Sequence, residues 1–121
     1  MKKILVVDDN RDILDLITLL LEIEGYEVMA VDNGHELNRN MEQFHPDVVI
    51  MDVMLDGLDG RDLCANIKEN RQTSNIPVIM ISASHDLQIH SMKKNCRPND
   101  FLAKPFDINC LIEKVQFQLA G

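Results

Sequence analysis

Four short, largely apolar runs punctuate the chain: Ile4-Leu5-Val6-Val7, Asp47-Val48-Val49-Ile50-Met51, Pro77-Val78-Ile79-Met80-Ile81 and Phe101-Leu102-Ala103. A strand with one wet face alternates apolar with polar side chains. Continuous runs belong to strands covered on both faces, as in a parallel sheet. A more mixed run, Tyr26-Glu27-Val28-Met29-Ala30-Val31, predicts a fifth strand beside them. Between the runs the apolar period lengthens to that of a helix. Ile13, Leu16, Ile17, Leu20 and Leu21 trace one stripe, and Ile108, Leu111, Ile112, Val115 and Leu119 trace another. Leu37, Met41 and Phe44 predict a middle helix led by Asn33 and Glu36, three apart, the spacing of a capping arrangement. Leu63 and Ile67 mark a fourth helix, and Ile89, Met92 and Cys96 give a thin apolar edge to a fifth, from about Asp86 to Asn95.

Strand and helix alternate without internal repeats or a Pro/Ser-rich linker, which implies βαβ units with right-handed crossovers. The expected architecture is one doubly wound α/β domain over residues 1–121. Ligands of such sheets sit beyond the carboxyl ends of the strands. Asp8 and Asp9 follow the first strand, Asp52 the third, Ser82 the fourth and Lys104 the last, so all five fall on that edge. Each has a plain explanation when taken alone. Asp9 or Asn10 would cap a helix, Ser82 would be a cap or surface hydroxyl, and Lys104 a surface lysine ahead of a helix capped by Asp107. Three carboxylates converging in a partly dry crevice repel one another, however, and would be partly protonated unless a cation neutralised them. All-oxygen ligation favours Mg²⁺, with Mn²⁺ able to substitute. No Cys or His lies on these strand ends, which argues against zinc.

Length and charge narrow the classes. A chain of 121 residues suits one hydrophobic core. Twelve Lys and Arg against twenty Asp and Glu give a net charge of -8, which repels a nucleic-acid backbone, so direct nucleic-acid binding is not expected. Apolar residues at 45% and charged ones at 26% match an ordinary soluble domain and suggest no membrane protein. Cys64, Cys96 and Cys110 show no CxxC pairing and read as reduced thiols, while His85 and His90 lack the one-face spacing of helical metal ligands. The first residues carry no signal-peptide pattern, so cytoplasmic residence is expected.

Asp8-Asp9, Asp52 within MDVMLDGLDG, Ser82-Ala83 and Lys104-Pro105-Phe106 together resemble the response-regulator receiver domains of two-component signalling, nearly end to end. The resemblance implies a flavodoxin-like (βα)5 domain with strand order 2-1-3-4-5 that works as a phosphorylation switch rather than a conventional enzyme. Asp52 would take a phosphoryl group from a phosphohistidine donor. Asp9, Asp52 and the Met54 carbonyl would hold Mg²⁺, and Asp8 would act through a metal-bound water. Ser82 and Lys104 would contact the phosphoryl oxygens, since phosphoryl transfer asks mainly for alignment and charge neutralisation. A cis Lys104-Pro105 bond would aim the lysine amine at the carboxylates. Ser82 and Phe101 would form the switch pair. The readout surface, and a possible homodimer face, would comprise the Asp86 to Asn95 helix, the Phe101 strand and the last helix. Implied partners are a sensor histidine kinase or histidine phosphotransfer protein upstream, and a target protein or fused output domain downstream. No output domain is visible in the sequence up to Gly121.

Two positions depart from the family pattern. Asp56 stands where many relatives have proline, and Arg97-Pro98 replaces a small Gly-Ala pair before the last strand. Met54 and Ser84, which flank the phosphate in the family, carry no carboxylate or amide, so slow to moderate loss of phosphate is expected. A haloacid-dehalogenase-type phosphatase needs a second acid two residues beyond its nucleophile, where this chain has Met54. A nucleotide-binding reading lacks the glycines of a phosphate loop. The remaining alternative is a receiver-like interaction module that works without phosphorylation.

Overall fold

The computed structural model describes residues 1–55, 57–82 and 98–120. In chain order the elements are β1 (Lys3–Val7), α1 (Arg11–Ile23), β2 (Glu27–Val31), α2 (Leu37–Phe44), β3 (Val48–Asp52), β4 (Met54–Leu55), β5 (Leu58–Asp59), α3 (Gly60–Glu69), β6 (Val78–Ser82), β7 (Asp100–Ala103) and α4 (Ile108–Ala120). The expected helix from Asp86 to Asn95 lies outside the described residues, as do Ala83, Ser84, His85, His90, Cys96 and Arg97.

Five strands form one sheet in the order β2-β1-β3-β6-β7, with every pairing parallel. Counted within that sheet, this is the expected order 2-1-3-4-5. β3 and β6 are buried at every position. Their side chains alternate between two cores. Val49, Met51, Val78 and Met80 face Leu37, Met41, Cys64 and Ile67 of α2 and α3. Ile50, Ile79 and Ile81 face Leu14, Ile17, Leu111 and Val115 of α1 and α4. Two covered faces explain why these strands read as continuous apolar runs.

The helix stripes are rotated slightly from their sequence reading. Leu14, outside the α1 stripe, is fully buried, whereas Leu16 is 43% exposed. On α4, Ile108 is exposed and Leu111 and Val115 carry the core contact. Apolar side chains on both flanks of α1 leave the period ambiguous, and packing selects the face centred on Leu14, Ile17 and Leu21.

Capping follows the sequence reading at two helices, adds an unanticipated cap at Asp59 and departs from it at α2. The Asn10 side chain accepts from Asp12 N and Ile13 N, Asp59 from Arg61 N, and Asp107 from Asn109 N and Cys110 N. The expected Asn33–Glu36 arrangement does not form. Glu36 occupies the N-cap of α2 without a side-chain bond, and Asn33 Oδ1 accepts instead from His35 N at 3.0 Å. A turn closed two residues on is the competing local use of an Asn side chain.

β4 and β5 are an unanticipated addition. They pair antiparallel, Met54 with Asp59 and Leu55 with Leu58, directly after β3. Gly57, just ahead of β5, has φ +74°, the left-handed conformation that tight turns favour, while Asp56 lies outside the described residues.

Candidate functional site

The carboxyl ends of β1, β3, β6 and β7 converge on one edge of the sheet, and the side chains at those ends meet. Asp52 and Ser82 are the last residues of β3 and β6, and both are buried. Asp8 and Asp9 leave β1; Asp8 is 1% exposed and Asp9 lies open. Parallel pairing makes this meeting a matter of register. Asp52 lies opposite Ile81 and Ser82 opposite Ala103, so the next residue, Lys104, emerges beside them. The Lys104-Pro105 bond is cis.

Lys104 Nζ donates to Asp52 Oδ2 at 2.6 Å and makes an ion pair with Asp8 Oδ2 at 3.3 Å. The other Asp52 oxygen, Oδ1, accepts from Met54 N at 3.0 Å. Asp8 Oδ1 accepts from Asn10 N at 2.8 Å, but its Oδ2 is buried and gains no hydrogen bond beyond the ionic contact. Burial raises the Asp8 pKa above its ordinary value; the Asn10 amide works against this, the Asp52 charge adds to it, and Lys104 only partly relieves it. For Lys104, burial pulls the pKa down, but the hydrogen bond and charge of Asp52, then Asp8, outweigh it and hold the pKa raised.

Charge decides what this crevice can bind. Oxygens of Asp8, Asp9 and Asp52 come within 4.8 Å of one another. Among the described residues, three carboxylates facing one lysine leave two negative charges uncompensated, and Asp8 Oδ2 is an acceptor short of a donor. A divalent cation with oxygen preference satisfies both conditions, and an all-carboxylate donor set is compatible with Mg²⁺. The Met54 amide is turned towards Asp52 rather than its partner strand.

Phe101 lies in β7 opposite Met80, half-buried against the core under α2 and α3. It is one strand over from Ser82 but two residues short of the strand end, since Ser82 lies opposite Ala103. Two features escaped sequence reading. The hairpin of β4 and β5 sets the Met54 amide on Asp52, a role signalled only by the Asp56-Gly57 dipeptide. Gly60 N donates to Val53 O at 2.7 Å, and a Cβ at Gly60 would overlap the Asp52 carbonyl oxygen, so the start of α3 is packed directly on the site. Close backbone approach of this kind admits only glycine.

Fold, edge and acid cluster define a class, and the comparisons agree with it. The family model of the response regulator receiver domain matches residues 4–116, and the chain belongs to that family. It is 32% identical over 116 residues to a DNA-binding dual master transcriptional regulator, RpaA, of Synechocystis, covering 96% of this chain and 48% of that protein. The chain thus spans about half the length of that relative. The signal receiver domain of a histidine kinase from Syntrophus aciditrophicus superposes with a TM-score of 0.91 at 30% identity, covering 100% of this chain and 92% of that one. Response regulator TrrA of Thermotoga maritima, solved in complex with Mg²⁺-BeF, superposes with a TM-score of 0.86 at 28% identity, covering 98% and 100%. The chain is therefore homologous to response regulators of two-component systems. Among the described residues no helix is long and apolar enough to cross a membrane.

Proposed function

We propose that the chain is a phosphorylation switch in which Asp52 accepts a phosphoryl group from a phosphohistidine. The observation carrying this reading is the Asp52 carboxylate itself, buried at a strand end, held by Met54 N on one oxygen and Lys104 Nζ on the other. In the transfer an Asp52 oxygen forms a bond to phosphorus as the P–N bond of the donor breaks, and the imidazole nitrogen leaves with the electron pair. Lys104 passes from the carboxylate to a phosphoryl oxygen, and Ser82, at the end of the neighbouring strand, donates its hydroxyl to another. Asp8, Asp9, Asp52 and the Met54 carbonyl are the groups that would hold Mg²⁺, which neutralises charge on the phosphoryl oxygens when bound. Ser82 and Phe101, on adjacent strands, would carry the change outward to the β7 and α4 face, where Phe117 is 75% exposed.

The donor is proposed to be a histidine kinase or phosphotransfer protein docking beside Lys104. A depression of about 450 Å³ there is lined by Ile13, Leu16, Pro105, Phe106 and Ile108 with Lys104, and Leu19 and Ile23 extend the apolar surface along α1. The relative that binds DNA is about twice as long as this chain. A downstream protein or fused output domain would therefore read the switch, with cytoplasmic residence and no direct nucleic-acid contact by these residues.

The test is incubation with Mg²⁺ and acetyl phosphate, followed by intact-protein mass spectrometry and mapping of the modified residue. Wild type should gain one phosphoryl group on Asp52, and Asp52→Ala none. A wild type that stays unmodified, and that also fails to bind beryllofluoride, would leave the phosphorylation-independent module as the reading.

A further inference from the structure

Among the described residues β7 is a four-residue edge strand paired only with β6, yet it delivers Lys104 to Asp52. Short edge strands specify their register weakly. A slip of two residues keeps every side chain on its own face while moving the strand by about 6.6 Å. That distance would take Lys104 Nζ away from both carboxylates, so something beyond the ladder must hold the register.

At the end nearest the site, Lys104 N donates to Ser82 O at 2.8 Å. At the other end Asn99 makes two bonds to one residue of β6. Its N–H donates to Val78 O at 2.7 Å, and its Oδ1 accepts from Val78 N at 2.9 Å. The side-chain amide thus takes the place of a strand carbonyl. The same Oδ1 accepts from Lys68 Nζ at 2.7 Å, and Lys68 Nζ also donates to Ile76 O at 3.0 Å, just ahead of β6. A cationic donor makes the stronger kind of hydrogen bond, and a shared acceptor polarised by it holds its rotamer. Burial lowers the Lys68 pKa, so this ammonium gives up hydration for the contact. From the opposite face of the sheet, Lys114 Nζ of α4 reaches Asp100 Oδ1 at 2.9 Å, which also accepts from Phe101 N at 2.8 Å.

We propose that Lys68, acting through Asn99, is a positioning residue that locks the register in which β7 presents Lys104 to the phosphoryl group on Asp52. This rests on the reading of Asp52 and Lys104 above. Asp8 and Asp9 follow β1 and Asp52 ends β3, outside the Lys68–Asn99–Val78 brace. Removing the brace should therefore divide the site, sparing cation binding and weakening phosphoryl binding.

The experiment uses the whole chain with Lys68→Met, which keeps the aliphatic stem, and Asn99→Ala, at an exposed residue. Mg²⁺ affinity is measured by calorimetry, beryllofluoride affinity by ¹⁹F NMR at saturating Mg²⁺, and folding by thermal melts. Both variants should bind Mg²⁺ within about twofold of wild type and beryllofluoride about tenfold more weakly, the order of loss expected when one hydrogen bond to a charged group is given up. Asn99→Asp, which keeps the acceptor for Lys68, should restore beryllofluoride binding. Wild-type beryllofluoride affinity in folded variants would overturn the proposal. So would a parallel loss of both ligands tracking the melting temperature, because Lys68 would then act through stability alone. Should Lys68→Met fail to fold, Asn99→Ala decides. A wild type that binds no beryllofluoride through Asp52 would instead overturn the reading of Asp52, and this inference with it.

Discussion

The buried Asp8 carboxylate should destabilise the cation-free protein, and Asp8→Asn should make it more stable. Coulomb terms around Asp8 nearly cancel. Asp52, within 4.8 Å, repels it by roughly 3 to 4 kcal/mol at an effective dielectric of about 20. Lys104, at 3.3 Å, attracts it by about 5 kcal/mol on the same footing, but that lysine is shared with Asp52 at 2.6 Å. The sign is therefore set by desolvation, which costs several kcal/mol for a buried ion and heads the causes that raise the Asp8 pKa. Asparagine keeps the acceptor for Asn10 N and discards the charge. We expect a gain of about 1 to 3 kcal/mol, or roughly 4 to 12 °C in melting temperature for a chain of this size. The pH dependence carries the same signature. A carboxyl whose folded pKa is raised favours the fold while protonated, and that contribution is lost as pH rises from the unfolded value through the folded one. The difference between variant and wild type should be small near pH 4 and widen towards neutrality. Melts with chelator and with Mg²⁺ across that range provide the assay, with Mg²⁺ stabilising wild type more than the variant. An Asp8→Asn protein no more stable than wild type in chelator at neutral pH, or one that gains as much from Mg²⁺, would refute the charge accounting.

Lys104→Met should cost about 3 to 5 kcal/mol at neutral pH, because it strands two buried carboxylates, and should abolish beryllofluoride binding; denaturant titration and ¹⁹F NMR read the two effects. The raised Lys104 pKa stabilises the fold below the ordinary lysine value, and this is lost as pH rises through the folded value, so wild type should lose stability in strong alkali more steeply than Lys104→Met. Gly60→Ala should destabilise by about 1 to 3 kcal/mol or more, since the new methyl meets the rigid Asp52 backbone rather than a side chain that can yield; chemical denaturation measures it, and slower phosphorylation should accompany it. Met54→Asn places a polar group beside Asp52 in place of an exposed apolar one and should shorten the phosphoryl lifetime severalfold, followed by loss of phosphoprotein after the donor is removed. Leu16→Asp should slow phosphorylation by a histidine-phosphorylated protein while leaving acetyl phosphate unaffected, which separates docking from chemistry.

The site was legible in sequence because its residues sit at the ends of strands that announce themselves. β1, β3 and β6 are covered on both faces, so each reads as an unbroken apolar run, and the polar residue that breaks the run marks the sheet edge. Asp8, Asp52 and Ser82 are those breaks. Lys104 is found the same way, although its contact with Asp52 spans 52 positions. Local choices were harder to read. Leu14 and Leu16 compete for the core face of α1, and only packing against β1 and β3 decides between them. Asn33 has two local uses, and it closes a turn instead of capping α2. Least legible were contacts that join distant parts through residues common on any surface. Lys68 and Asn99 are 31 positions apart and carry no pattern, and their meeting follows from where α3 ends relative to the start of β7. Arg97-Pro98 pointed to that place as unusual without showing what held it. Sequence thus exposes the polar groups gathered at the strand ends, while the contacts that join distant elements beside those strands become visible only when the fold is assembled.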